Sequence, residues 1–157
     1  MLKTRLPPDN STALELAVAA VAATMADPSR VKMLCAMMDG RAWTATELSA
    51  VADVAPSTAS GHLTRLMEGR LITCLSQGRH RYYRLAGHEV AELVEQMMGM
   101  SWGRITPPET TAPESMRHAR TCYDHLAGTV AVQIYDFMHA EGWLVADGSA
   151  LTLSRRE

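Results

Sequence analysis

The stretch Ala55–Leu85, APSTASGHLTRLMEGRLITCLSQGRHRYYRL, decides the fold of this chain. Its first half reads as a helix. Pro56 suits a first helical turn, where its missing N–H leaves nothing unpaired. Ala59, Leu63 and Leu66 then recur at helical spacing on one face. The other face carries Ser57, Thr58, Ser60, Gly61, Thr64 and Arg65. These are short or donor-rich side chains, where a solvated helix would more often show Glu and Lys. Small side chains permit close approach, and hydroxyls bond phosphate or base edges, so this is a surface suited to a DNA major groove. The second half holds two short β-forming runs, Leu71–Leu75 and Arg81–Leu85, joined by Ser76–His80 around the turn residue Gly78. Tyr82 and Tyr83 alternate faces on the second run, which places one of them in the core.

Working outward, Met1–Asn10 reads as a flexible arm. Ser11 or Thr12 can cap a helix to Met25 with Leu14, Val18, Val21 and Met25 at 4-3-4 spacing. Glu15 is its only charge, so the helix is either deeply buried or shared with a second subunit. Asp27-Pro28 opens a second helix, Ser29–Met38, with Val31, Leu34, Cys35 and Met38 inward, and Asp39-Gly40 ends it. Thr44-Ala-Thr-Glu47 has capping-box spacing for a short third helix through Ala52. Val54-Ala55-Pro56 then turns into the polar-faced helix, which gives a helix-turn-helix, and the hairpin makes it winged. A further helix spans Glu89–Met100, with a stripe of Val90, Leu93, Val94 and Met97.

These elements form a mainly α, α+β winged-helix domain over residues 1–100, a linker over 101–113 rich in Pro and Thr, and a C-terminal region over 114–157. In the last, helices are expected at Glu114–Leu126 and Val130–Ala140, then a small hairpin through Trp143–Leu153. The chain stops on Ser-Arg-Arg-Glu, which reads as a natural remnant or as part of a larger C-terminal region, with effector sensing a role for it.

Size and composition narrow the function. At 157 residues and 47% hydrophobic content, one main domain with a real core is expected. No apolar run approaches the roughly 18 to 20 residues that span a bilayer. The start, MLKTRLPPDNS, lacks an apolar signal region, so a cytoplasmic protein away from membranes is expected. Three widely spaced cysteines, Cys35, Cys74 and Cys122, fit reduced thiols better than a disulfide framework. The net charge is only −2, but it is unevenly placed. From His62 to Arg84 five Arg face one acid, a balance of +4; from Glu89 onward five Arg face ten acids, a balance of −5. Positive charge gathered on one helix and hairpin is the electrostatic footprint of a nucleic-acid face.

Three segments together resemble the ArsR/SmtB family of bacterial winged-helix repressors: ADPSRVKMLCAM (26–37), TELSAVADVAPSTASGHLTRLMEGRLI (46–72) and GRHRYYRL (78–85). With the flanking helices the resemblance runs from Leu14 to Met100. It implies a homodimer on a double-stranded DNA operator that it leaves when an effector binds. The dimer contacts it implies are Leu14–Met25 and Glu89–Met100, the two apolar stripes otherwise left uncovered. The family's metal sites do not carry over. Its thiolate motif Glu-Leu-Cys-x-Cys stands here as Glu47-Leu48-Ser49-Ala50-Val51. Its Asp and His site on the helix after the wing meets only Gly87 and Glu89, with no His near Met100.

The remaining sensor candidate is RHARTCYDHLAG (117–128), whose CYDHLAG also resembles a longer subgroup of the family. On a helix, His118, Cys122 and His125 would share a face, with Tyr123 and Asp124 beside them. Three readings stay open: the three pack or hydrogen-bond among helices; Cys122 senses oxidants, electrophiles or another small molecule; or the three hold zinc or a similar metal with a fourth ligand from the partner or water. The sequence therefore names neither a cofactor nor an effector. Cys35 and Cys74 read as small buried hydrophobes. Met37, Met38, Met97, Met98 and Met100 read as gap-filling core or an adaptable pocket.

The function expected is a dimeric, DNA-binding repressor. Arg65, Arg79, Arg81 and Arg84 would hold phosphates, and Ser57, Thr58, Ser60, Thr64 and Arg65 would position or read bases. His62 either touches phosphate or supports the helix, and His80 reaches backbone or minor groove. The alternative is a winged-helix interaction module without DNA binding. An enzyme is not expected: there is no Gly-rich phosphate loop, nucleophile elbow or paired carboxylate cleft, and Cys122 with His125 is a nucleophile–base pair in composition only.

Overall fold

The structure, a computed structural model, describes residues 8–106, 113–123, 125–147 and 150–154. The chain divides into two compact units, Met1–Thr106 and Pro107–Glu157.

In the first unit the helix boundaries follow from capping chemistry. α1 (Pro8–Met25) starts before the expected caps Ser11 and Thr12, so residues 8–10 are helix rather than arm; residues 1–7 lie outside the described residues. Asp27 caps α2 (Pro28–Ala36) by accepting from the Ser29 and Arg30 amides at 3.0 Å each. A 3₁₀ turn, Met37–Asp39, closes it, and Gly40 takes the left-handed conformation. Thr44 and Glu47 form the reciprocal capping box that starts α3 (Ala45–Ala52). α4 (Pro56–Glu68) begins with Pro56 in its first turn. The wing is β2 (Ile72–Gln77) and β3 (His80–Leu85), paired antiparallel from Ile72↔Leu85 to Gln77↔His80. Only Gly78 and Arg79 lie between the strands, with a positive φ at Gly78 alone, the pattern of a type II′ hairpin. A two-residue strand, β1 (Trp43–Thr44), adds to the outer edge of β3, giving the order β1-β3-β2. α5 (His88–Trp102) follows the wing.

The core sits where α2, α3 and α4 meet. Met33, Leu34, Met37, Leu48, Leu63 and Leu66 are fully buried. Tyr83 and Leu85 from β3, with Val90, Ala91 and Val94 from α5, close it. The inward face of α2 runs Arg30, Met33, Leu34 and Met37. Val31, expected inward, is instead exposed, because Arg30 takes the inward position. α1 leaves Leu14 and Leu16 at 54% and 68% exposure, so it is not deeply buried within one chain.

The second unit contains α6 (Glu114–His118), a hairpin β4 (Arg120–Cys122) and β5 (His125–Ala127), α7 (Thr129–Ala140), and a hairpin β6 (Leu144–Asp147) and β7 (Ala150–Leu153). α7 and the last hairpin match their sequence expectation; residues 148–149 of its turn lie outside the described residues. The helix expected over Glu114–Leu126 does not form. It stops at His118 because Ala119 is extended, and the chain then folds back on itself. Tyr123 holds a left-handed φ of 54° in that turn. Gly128 has a φ of 93°, and a Cβ there would lie 2.7 Å from the Arg117 carbonyl oxygen, so the close return of the chain requires glycine. Among the described residues, no helix is long and apolar enough to cross a membrane.

Candidate nucleic-acid interface

The turn between α3 and α4 is built by backbone geometry. Asp53 adopts the left-handed conformation, which Asp tolerates, and the Asp53 and Val54 amides close on the Ala50 and Ser49 carbonyls at 3.2 Å. The buried Ser49 hydroxyl donates to the Val54 carbonyl at 3.2 Å. At the position where the resembling family's motif has its first cysteine, this chain thus has a hydroxyl that fastens the turn.

α4 emerges from that turn with Ala59, Leu63 and Leu66 buried and Ser57, Thr58, Ser60, Gly61, Thr64 and Arg65 exposed. The Thr64 hydroxyl donates back to the Ser60 carbonyl at 3.0 Å, leaving its lone pairs outward. Ala55 supplies no side-chain cap, so the Ser57 and Thr58 amides lack a capping acceptor. An uncapped, exposed helix start of this length favours an anion such as a phosphate. Gly61 is unusual in another way. Its φ is not positive and a Cβ there would meet nothing within 4 Å, so nothing in the fold requires glycine. Glycine in a helix interior costs about 0.5–1 kcal/mol relative to alanine.

His62 points inward rather than out. Its Nδ1 lies 3.4 Å from Arg30 Nη1 and 3.8 Å from Asp27 Oδ1, and its side chain is mostly covered. Arg30, only 5% exposed, donates through Nε to the Thr24 carbonyl and through Nη2 to the Ala23 carbonyl at 3.2 Å. One guanidinium therefore caps the end of α1, sits on α2 and touches α4. Its hydrogen bond to the Asp27 carboxylate from the Arg30 amide holds that carboxyl below its ordinary range, with the His62 and Arg30 charges adding to it. This tie is a structural feature that hydropathy alone hides, since a charged residue is expected outside. The signal available in the sequence was an Arg set three residues after the Asp27 cap.

A second cluster braces the base of α3. Arg41 pairs with Asp39 at 2.8 Å and Glu47 at 3.0 Å and lies 3.5 Å over the Trp43 ring centroid. Hydrogen bonds from the Thr44 amide and hydroxyl to the Glu47 carboxylate, aided by Arg41, hold Glu47 down to about 2. The cation of Arg41 is thus neutralised within the fold.

The wing arginines differ. Among the described residues, no ion pair engages Arg65, Arg79, Arg81 or Arg84, and all four are exposed. They do not share one face. Strand alternation puts Arg81 on the side of Tyr83 and Leu85, while Arg84 lies with His80 and Tyr82, and Arg79 is at the tip. His80 is exposed, with its ring 6.3 Å from that of Tyr82. Tyr83 is the core tyrosine, and burial pushes its hydroxyl up.

The proposed sensor cluster is not assembled as the sequence suggested. His118 ends α6, whereas Cys122 and His125 face each other across the β4–β5 register. The three share no helical face because the helix ends before Cys122. Asp124 lies outside the described residues. Among the described residues, no group of three His, Cys, Asp or Glu side chains is placed to hold a metal ion.

The comparisons agree with this geometry. The sequence model of the bacterial regulatory protein, arsR family, matches residues 27–73. The HTH-type transcriptional regulator YdfF of Bacillus subtilis (strain 168) is 40% identical over 134 residues. That match takes in 81% of this chain and 57% of YdfF, so the chain spans little more than half the length of this curated relative. The homodimeric winged helix-turn-helix domain of Mb0332 from Mycobacterium bovis, a possible ArsR-family regulator, superposes with a TM-score of 0.58 at 23% identity. It covers 69% of this chain and 100% of that domain. Reduced HlyU from Vibrio cholerae N16961 superposes at 0.53 and 22% identity, covering 59% of this chain and 97% of its own. These structures share the fold. With the turn, the polar-faced α4 and the basic wing in place, this chain belongs to the ArsR family of bacterial regulatory proteins.

Proposed function

We propose that the chain is a dimeric, DNA-binding transcriptional repressor that uses α4 and the wing as its duplex face and leaves its operator when an effector binds. One observation carries this reading. The exposed cations of α4 and the wing have no carboxylate partner among the described residues, while Arg41, at the foot of the same motif, is fully paired. Guanidinium groups without a carboxylate partner, beside an uncapped helix start and a row of hydroxyls, suit a polyanion with a groove. Gly61 supports the same reading, since a helix that forgoes a Cβ in open space gains closeness to something outside the chain.

Dimerisation is supported by an apolar groove of about 550 Å³ along α1 and α5, lined by Ala17, Val18, Val21, Met25, Leu93 and Met97 among others. The Mb0332 domain, of the same fold, is homodimeric. A two-fold dimer would set two α4 helices on half-sites about one helical turn apart. Fluorescence anisotropy on duplexes carrying inverted repeats, with sedimentation analysis of the free protein, tests the proposal. Salt-sensitive duplex binding by a two-chain species is expected. A strictly monomeric protein, or one indifferent to duplex, would favour the interaction-module alternative.

A further inference from the structure

Four sulfur-bearing side chains meet at one place outside the duplex face. A cavity of about 260 Å³ between α2 and α5 is lined by Cys35, Met25, Met97 and Met98, with Leu34 and Val94 among its walls. The Cys35 Sγ lies 3.9 Å from the Met98 Sδ. An ion about 2.3 Å from each, an ordinary metal–thiolate length, would see them at about 115°, close to trigonal. Met97 and Met25 line the same cavity and bring two further thioethers to its walls. No imidazole or carboxylate lines it, and its one hydroxyl, Ser101, donates to the Met97 carbonyl at 2.7 Å.

We propose that Cys35 and Met98, with a methionine neighbour, form a binding site for a soft monovalent cation, Cu(I) or Ag(I). Thiolate and thioether donors select soft ions over Zn(II), Ni(II) or hard cations. One thiolate neutralises the charge of one monovalent ion, whereas a divalent ion would keep a net charge beside these apolar walls. On binding, the Cys35 S–H bond breaks, a sulfur–metal bond forms and the proton passes to solvent, with no change of oxidation state. Burial pushes the Cys35 thiol up, so it keeps its proton until an ion displaces it. The site joins α2 to α5 and stands whether or not α4 and the wing bind DNA.

The test is an anaerobic Cu(I) titration against a chromophoric chelator, in a Cys74→Ser/Cys122→Ser background that leaves Cys35 as the sole thiol. One Cu(I) per chain is expected, with one proton released and a thiolate-to-metal absorption band in the ultraviolet. Met98 is 40% exposed, so Met98→Leu keeps volume and fold, and it should weaken Cu(I) binding at least tenfold. Cys35→Ser should abolish the band, and excess Zn(II) should not displace the ion. Cu(I) binding undiminished in Met98→Leu, or persisting in Cys35→Ser, or displaced by Zn(II), would overturn the proposal.

Discussion

α4 and the segment from Glu114 to Ala127 are of similar length and both carry apolar residues at helical intervals, yet they are held differently. α4 drives Ala59, Leu63 and Leu66 into a core shared with α2 and α3. The later segment has no such partner: none of the described residues of the second unit is fully buried, and Leu126 remains 62% exposed. There the backbone settles into a five-residue helix and a three-residue-a-side hairpin, fixed by local geometry at Ala119, Tyr123 and Gly128. Helical spacing organises a segment when there is a core to receive it; without one, turn geometry decides.

The sharpest way to break this contrast is to remove matched side chains. Leu66→Ala empties a fully enclosed site and should cost about 2–5 kcal/mol, read by urea unfolding. Leu126→Ala should stay within about 0.5 kcal/mol. Equal costs would contradict the difference drawn here. Next in size is Arg30→Ala, which removes the donors to the partly buried carbonyls at the end of α1 and leaves Asp27 and His62 without their guanidinium neighbour; it should cost about 1–3 kcal/mol. Duplex affinity should fall with it, because His62 and hence α4 lose their brace; Arg117→Ala, on exposed α6, should change neither.

Gly61→Ala separates folding from binding. Alanine in that open helical position should stabilise the fold by about 0.5–1 kcal/mol. The same methyl should weaken duplex binding. A variant that is both more stable and equally tight would remove Gly61 from the duplex face.

The smallest effect is a pH dependence. Glu47 is held down to about 2, so its contribution is present above its ordinary value of 4.5 and is lost as pH falls toward 2. The melting-temperature gap between the native chain and Glu47→Gln should therefore be constant above about pH 5 and close below it. A gap that widened on acidification would show that the capping box is not the source.

Much of the first unit was legible in the sequence, for reasons that these residues make plain. Asp27, Thr44, Glu47 and Pro56 mark helix starts by chemistry that needs no distant partner, and α3, α4 and the wing follow them closely. β1 was not legible, because two residues carry no periodicity and pair only through β3. Val31 lies outside rather than inward because an Arg30 that finds backbone carbonyls can take the core position that hydropathy assigns to Val. His118, Cys122 and His125 were read on a helix because their spacing permits one. The left-handed Tyr123 and the crowding behind Gly128 leave no trace in a hydrophobic pattern. The proposed duplex face rests on composition in the sequence, whereas the split of Arg81 and Arg84 onto opposite sides of β3 becomes plain only once the register is known.

The central claim is that the wing cations, which have no carboxylate partner among the described residues, grip phosphate. Its most direct test is the salt dependence of duplex binding by the native chain and by Arg79→Ala/Arg81→Ala. Each lost phosphate contact should flatten the slope of log affinity against log salt by about 0.9, so the double variant should flatten it by about 1.8 per chain, with affinity falling alike on all sequences. An unchanged slope would contradict the account.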